Sequence, residues 1–263
     1  MAPFLLFANS KGAKPGEVSE MRRLLLSSAV VLFVGAALPA QAGSLELRGG
    51  AFFPRADSGA RSEGDFDLFR DISSLYFNSA EGRPVTKGDW IGFFGGAQYN
   101  FKIARHLEFG VGLDGYSRRL DTEYNDYERD DGRPIFQSLK LEIVPMSAEL
   151  RFTNTRRYAR VVPHIGVGFD LIYWKYEEFG DFIRFSDPAL PVVPDSFISD
   201  GLTPAFHVSA GFRIGITDDI GITANGRYQW GTAKMGGDFD DDFSNNKLDL
   251  TGPTVTIGVS FRF

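Results

Sequence analysis

Eight separate stretches of this chain alternate apolar and polar side chains with a period of two, each running for about ten residues or more. They cover 45–53, 90–101, 107–117, 135–152, 161–173, 204–216, 220–230 and 248–263. In an extended strand, successive side chains point to opposite faces, so each stretch has one apolar and one polar face. In 45–53, Leu45, Leu47, Ala51 and Phe53 oppose Glu46, Arg48 and Phe52. In 161–173, Val161, Ile165, Val167, Phe169, Leu171 and Tyr173 share one face. In 204–216, Phe206, Val208, Ala210, Phe212 and Ile214 oppose His207, Ser209 and Arg213. The last stretch sets Val255, Ile257, Val259, Phe261 and Phe263 against Thr254, Thr256, Ser260 and Arg262. The stretch 135–152 has Leu139, Leu141 and Ile143 on one face. It then continues with Met146, Ala148, Leu150 and Phe152 in switched parity, which predicts a β-bulge at Val144 and Pro145.

The connections alternate as well. Short ones follow the second, fourth and sixth stretches, and long ones follow the first, third, fifth and seventh. That rhythm predicts an all-β fold: an eight-stranded antiparallel up-and-down transmembrane β-barrel with short periplasmic turns and four long external loops. After Ala42 no segment is long and apolar enough for a membrane helix. The counts of 30 Gly and 25 Phe suit strands with aromatic belts, and a mean hydropathy of −0.14 argues against a bundle of membrane helices.

Met21, Arg22 and Arg23, the uncharged run 24–38 and the small residues Ala40 and Ala42 form a three-part export signal with cleavage after Ala42. The expected organisation is an unstructured or non-native extension at 1–20, a signal peptide at 21–42 and one barrel at 43–263. The absence of cysteine excludes disulfides, thiolate metal sites, a cysteine nucleophile and a lipoprotein anchor. A net charge of −6 argues against a nucleic-acid partner.

A soluble sandwich or lipocalin-like barrel also alternates, with its apolar face inward. Two belts of aromatics favour the membrane reading. Trp90, Tyr173, Trp174, Tyr228 and Trp230 fall at the predicted outer strand ends; Phe101, Phe152, Tyr158, Phe261 and Phe263 fall at the periplasmic ends. The alternating end that closes on Phe263, and phrases such as 49–54 and 162–168, resemble the small outer-membrane barrels of the OmpA/OmpW-like class. The resemblance spans 43–263. It implies location in the cell outer membrane, contact with outer-membrane lipid and lipopolysaccharide, and recognition of Phe261 and Phe263 by the barrel-assembly machinery. A monomer is expected.

The polar faces carry both signs of charge: Arg48, Arg118, Lys140, Arg151, Arg213, Arg227 and Arg262 against Glu46, Glu108, Asp114, Glu142, Glu149 and Asp170. Eight strands enclose little more than their own side chains, so these groups are expected to pair in an internal network that plugs the lumen. A narrow gated ion path is the alternative use of the same residues. His207 and Ser209 share a face two residues apart and resemble the His-x-Ser pair of a lipid A deacylase. Ala210 stands where that family has asparagine, and no carboxylate a dozen residues on shares the face of the pair, so the pair reads as part of the internal network. His164 reads as a lumen filler. Asp238, Asp240, Asp241 and Asp242 lack the glycine and closing glutamate of a calcium loop and read as a solvated acidic loop. No cofactor is expected. Phe66, Phe69, Ile72 and Leu75 recur at helix-like spacing, and 176–201 is an apolar-rich loop. The function expected is structural or interactive at the cell surface, not enzymatic. A narrow channel for small hydrophobic or ionic solutes comes second and a lipid A-modifying hydrolase third.

Overall fold

The computed structural model describes residues 43–55, 72, 75–154, 160–184, 187–239 and 247–263. The extension, the export signal, Phe66, Phe69, Tyr158, Asp240, Asp241, Asp242 and the side chain of Asp238 lie outside the described residues. Among the described residues twelve strands follow in order: β1 (Gly43–Phe52), β2 (Tyr76–Asn78), β3 (Arg83–Pro84), β4 (Gly92–Ala104), β5 (Leu107–Glu128), β6 (Pro134–Thr153), β7 (Val161–Ile183), β8 (Val192–Gly215), β9 (Ile220–Trp230), β10 (Thr232–Lys234), β11 (Lys247–Asp249) and β12 (Gly252–Arg262).

Eight of them form a closed antiparallel ring in the order β1-β4-β5-β6-β7-β8-β9-β12, with β12 returning to β1 through Leu47↔Val259. Closure removes every strand edge inside the ring, which is what a sheet in lipid requires. Each of the eight alternating stretches falls mainly on one of these eight strands, so the period-two pattern located the ring.

Strand length divides the ring into two halves. β1, β4, β9 and β12 have 10, 13, 11 and 11 residues, whereas β5, β6, β7 and β8 have 22, 20, 23 and 24. The second group therefore continues past the rim as a four-stranded wall. On its outer face the chemistry changes within one step along the ladder. The row Val144-Tyr173-Leu202 is apolar, and the next, Glu142-Lys175-Asp200, is charged. That step marks the outer edge of the lipid-facing belt. The stretch 176–201 is accordingly not a loop: β7 and β8 pair continuously from Tyr176↔Ser199 to Ile183↔Val192.

The expected bulge at Val144 and Pro145 is absent. β6 keeps one register against β7 through Val144↔Tyr173 and Pro145↔Ile172, and the same register against β5 on both sides of the proline. Parity is unbroken, so Leu139, Leu141 and Ile143 point inward and are buried, while Met146, Leu150 and Phe152 face outward. The inward group joins an apolar core inside the mouth of the barrel and the wall. Phe52, Phe94, Leu120, Ile172, Trp174 and Tyr176 belong to it, and Ile72, Tyr76, Val85, Trp90, Phe239 and Leu248 cover it. Trp90 and Trp174 thus sit in this core and not in an outer belt. Tyr173, Tyr228 and Trp230 do lie on the outside.

Candidate functional site

Below the apolar core, the lumen is filled by charge. β1 supplies Glu46 and Arg48, β4 Gln98 and Asn100, β5 Asp114, β6 Glu149 and Arg151, β7 His164 and Asp170, β8 His207 and Ser209, and β9 Asn225 and Arg227. Arg48 donates through Nε to Asp114 at 2.9 Å and through NH1 to Gln98 at 2.7 Å. Gln98 passes the chain on to Glu149 Oε2 at 2.9 Å, which also receives Arg151 Nε at 2.8 Å. Arg151 NH1 crosses to Glu46 at 3.1 Å, and Thr223 and Asn225 complete that carboxylate at 3.0 and 2.6 Å. Asn225 in turn accepts from His164 at 2.6 Å. On the far wall Arg227 NH2 lies 2.6 Å from Asp170, and Arg213 lies 3.6 Å from Glu108. Arg151 and Glu46 are 1 % and 0 % exposed. Charges this deep are costly unless paired; Arg48 and Arg151 are hydrogen-bonded to their carboxylates, whereas Arg227 and Arg213 hold theirs as ion pairs.

Small residues make the room. A Cβ on Gly168 would stand 2.3 Å from His207 Cε1, and one on Gly166 would stand 2.2 Å from Glu149 Oε1. The glycines in 162–168 therefore leave space for the side chains of the facing strands.

Not every charge expected inside is there. Lys140 and Glu142 lie on the outer face of β6 and pair with each other at 2.9 Å, because the unbroken parity turns them outward. Arg262 is exposed at the end of β12. Arg118 leaves the network and donates to the backbone oxygen of Asp89 at 2.7 Å. Phe261 is half-buried and Phe263 exposed at the same end of the barrel.

The carboxylate missing from the His207 and Ser209 pair in the sequence comes from another strand: His207 Nδ1 donates to Asp170 at 2.7 Å. The resulting group still lacks the geometry of a nucleophilic triad. Ser209 directs its hydroxyl to Glu149 Oε1, and His207 Nε2 is 3.9 Å from that same oxygen. Ser209 is 9 % exposed and His207 2 %, inside the ring and away from the lipid face. A working triad needs the serine hydroxyl on the histidine and an open path for substrate.

The polarity of the ring is the inverse of a soluble barrel's. Ile165, Phe206 and Ile257 on the outside are 62 %, 63 % and 66 % exposed, while acids and arginines fill the inside. Only lipid makes such an exterior favourable. The fold is that of a small outer-membrane β-barrel. No protein-family model matches the chain. No curated protein matches it. Solved outer-membrane barrels do resemble it in fold. OprG from Pseudomonas aeruginosa aligns with a TM-score of 0.44 at 13 % identity, over 85 % of this chain and 97 % of OprG. Neisserial surface protein A aligns at 0.43 and 12 % identity, over 84 % and 97 %. E. coli outer membrane protein W aligns at 0.34 and 15 % identity, over 86 % and 100 %.

At the mouth of this outer-membrane barrel lies a second polar cluster that sequence reading missed. Asp89 accepts both arms of Arg83 at 2.8 and 2.9 Å, Asn78 Nδ2 at 3.1 Å, and the Thr86 backbone and hydroxyl at 2.7 and 3.0 Å. Burial would raise its carboxyl, but the bonds from Arg83 and Thr86 outweigh that and hold it below the usual range. This clasp folds the β2–β3 hairpin against β5 through Tyr76↔Tyr124 and Asn78↔Thr122. It also seats Trp90, whose backbone oxygen accepts from Tyr116, in the mouth. The signal available was the run Thr86-Lys87-Gly88-Asp89, in which Asp89 returns to the Thr86 backbone as in a capping box.

Proposed function

We propose that the protein is a closed outer-membrane barrel with a structural or surface-interaction role, performed by the wall and cap beyond the membrane. The observation that carries this reading is the ion network from Arg48 and Asp114 through Glu149 and Arg151 to Glu46, which spans the lumen from β5 to β6 and β1. An aqueous pore would need these groups apart. Above them the apolar core fills the mouth, so two successive layers block passage. The Asp170, His207, Ser209 and Glu149 group then serves to hold strands together, and no reaction is assigned to it. Outer-membrane lipid and lipopolysaccharide surround the belt, the assembly machinery reads Phe261 and Phe263, and the barrel works as a monomer.

A narrow ion path stays as the second reading because of one feature. Along the β8–β9–β12 side, Arg213 Nε, Gln229 Oε1, Thr254 Oγ1 and Ser260 Oγ are buried without a hydrogen-bond partner. Polar atoms of this kind take water where there is room. Recording from planar bilayers separates the two. The closed reading expects no steps for the purified full chain. It expects none even when Arg48→Ala and Arg151→Ala together empty the plug, because the apolar core above still closes the mouth. Steps from the wild-type chain would replace it with the ion path.

A further inference from the structure

Beyond the lipid-facing belt, β7 sends one carboxylate into the apolar core of the wall. Glu178 is 8 % exposed, and its Oε1 accepts a hydrogen bond from Tyr176 at 2.6 Å. Across the ladders it stands opposite Leu139 of β6 and Phe197 of β8. Diagonal to it on β6 lies Gln137, buried with neither amide atom hydrogen-bonded. β2 brings Tyr76 and β5 brings Tyr124, whose rings meet edge to face at 5.2 Å, and both phenols feel the Glu178 charge. The titratable groups facing it are thus Tyr176 on its own strand, Tyr76 on β2 and Tyr124 on β5. Among the described residues no cation stands against it. A lone carboxylate in such a place is stable as the neutral acid and costly as the anion.

The position matters because Tyr76 belongs to the hairpin that closes the mouth. We propose that Glu178 is a pH-sensing latch of the extracellular cap: as the acid it lets the β2–β3 hairpin close on the wall, and as the anion it favours release of that hairpin. Burial pushes the Glu178 carboxyl up to about 7, against the smaller opposing pull of the Tyr176 hydrogen bond. In a released cap the carboxyl meets water and returns to its ordinary value of 4.5. A carboxyl raised in the closed form stabilises closure fully below the ordinary value. That stabilisation is lost as pH rises toward about 7, and the effect levels off above it. Within that window the opening equilibrium rises by at most about ten-fold per pH unit. Asp89, which ties the same hairpin, acts in the opposite direction and outside the window. Its carboxyl is held below the ordinary 3.8, so its contribution fades only in stronger acid.

The test is hydrogen exchange, followed by mass spectrometry, over residues 76–90 of the full chain in lipid vesicles from pH 5 to pH 8, corrected for the chemical rate. The wild-type chain is expected to open roughly 40-fold more at pH 7 than at pH 5 and only about two-fold more again by pH 8. Glu178→Gln is expected to exchange slowly with no such rise. Tyr176→Phe keeps the carboxyl but removes the donor to its anion, so the rise is expected to start at the same pH and level off at a higher one. A wild-type profile without the rise overturns the latch, as does the same rise in Glu178→Gln. Should Glu178→Gln fail to assemble, Tyr176→Phe decides: a rise that levels off at the wild-type pH overturns the latch.

Discussion

Arg151 on β6 and Glu46 on β1 meet across the lumen, NH1 to Oε2 at 3.1 Å, although 105 residues separate them in the chain. No local segment makes this contact; it exists only once the ring is shut. Arg151 is also held by Glu149, so its removal strands two buried carboxylates at once. Arg151→Met is expected to destabilise the barrel by about 3–5 kcal/mol, because a buried charge is left without its partner. The check is the temperature at which the SDS-resistant form disappears from unheated gels. An unchanged temperature would mean that the network contributes little.

Asp89 gathers the bonds that fold the β2–β3 hairpin over the mouth. Asp89→Asn keeps the size but loses the charge, and the hydrogen bonds it weakens are each worth about 1.5–3 kcal/mol. Trypsin is expected to cut after Lys87 faster in this variant, with the ring itself intact. Since the wild-type carboxyl is depressed in the folded form, its contribution is present above the ordinary value of 3.8 and lost as pH falls below it. In strong acid, hydrogen exchange of the wild-type hairpin is expected to approach that of the Asn variant.

Gly168 faces His207 and the backbone oxygen of Ala148, which an added Cβ would approach to 2.3 and 2.7 Å. Backbone cannot move aside cheaply, so Gly168→Ala is expected to reduce the heat-modifiable form sharply. Gly115 has nothing within 4 Å of such an atom, and Gly115→Ala is expected to assemble as the wild type does. Equal assembly of the two variants would show that the lumen tolerates repacking.

Ser209 donates its hydroxyl to Glu149 and not to His207. Ser209→Ala is expected to cost about 1.5–3 kcal/mol in stability through the lost hydrogen bond to a carboxylate. Mass spectra of lipid A from cells making the wild-type protein, the variant or neither are expected to be identical. A lipid A missing an acyl chain only with the wild-type protein would restore the hydrolase.

Phe263 is 75 % exposed and packs little in the finished barrel. Phe263→Ala is therefore expected to lower the amount reaching the outer membrane in cells while leaving the melting of the refolded barrel in micelles nearly unchanged. Equal loss in both measurements would make the residue structural instead of an assembly signal.

How far the sequence could be read depended on whether apolar meant outward. In β7 and β12 it did: Val161, Ile165, Val255 and Ile257 are lipid-facing as the alternation required. In β6 it did not. Leu139, Leu141 and Ile143 are as apolar as Leu150 and Phe152, and composition alone assigns all five to lipid, which forced a bulge at Pro145 that the strand does not contain. The error carried Lys140 and Glu142 inward with it. The same blindness hid Trp174 and Glu178, which continue the inward parity of Asp170 along β7 past the point where a loop was expected.

The sequence by itself determined the eight strands, their closure into a barrel and the polar filling of its lower half, because a period of two joined to alternating short and long connections admits few other folds. Tertiary structure alone decided which strands outgrow the membrane and what fills the mouth. It also brought Asp170 to His207 and Asp89 to the β2–β3 hairpin. A strand's own residues fix its two faces. What each face meets depends on the neighbouring strands, and beyond the lipid belt the inside of the wall needs an apolar core just as the outside of the barrel needs an apolar belt.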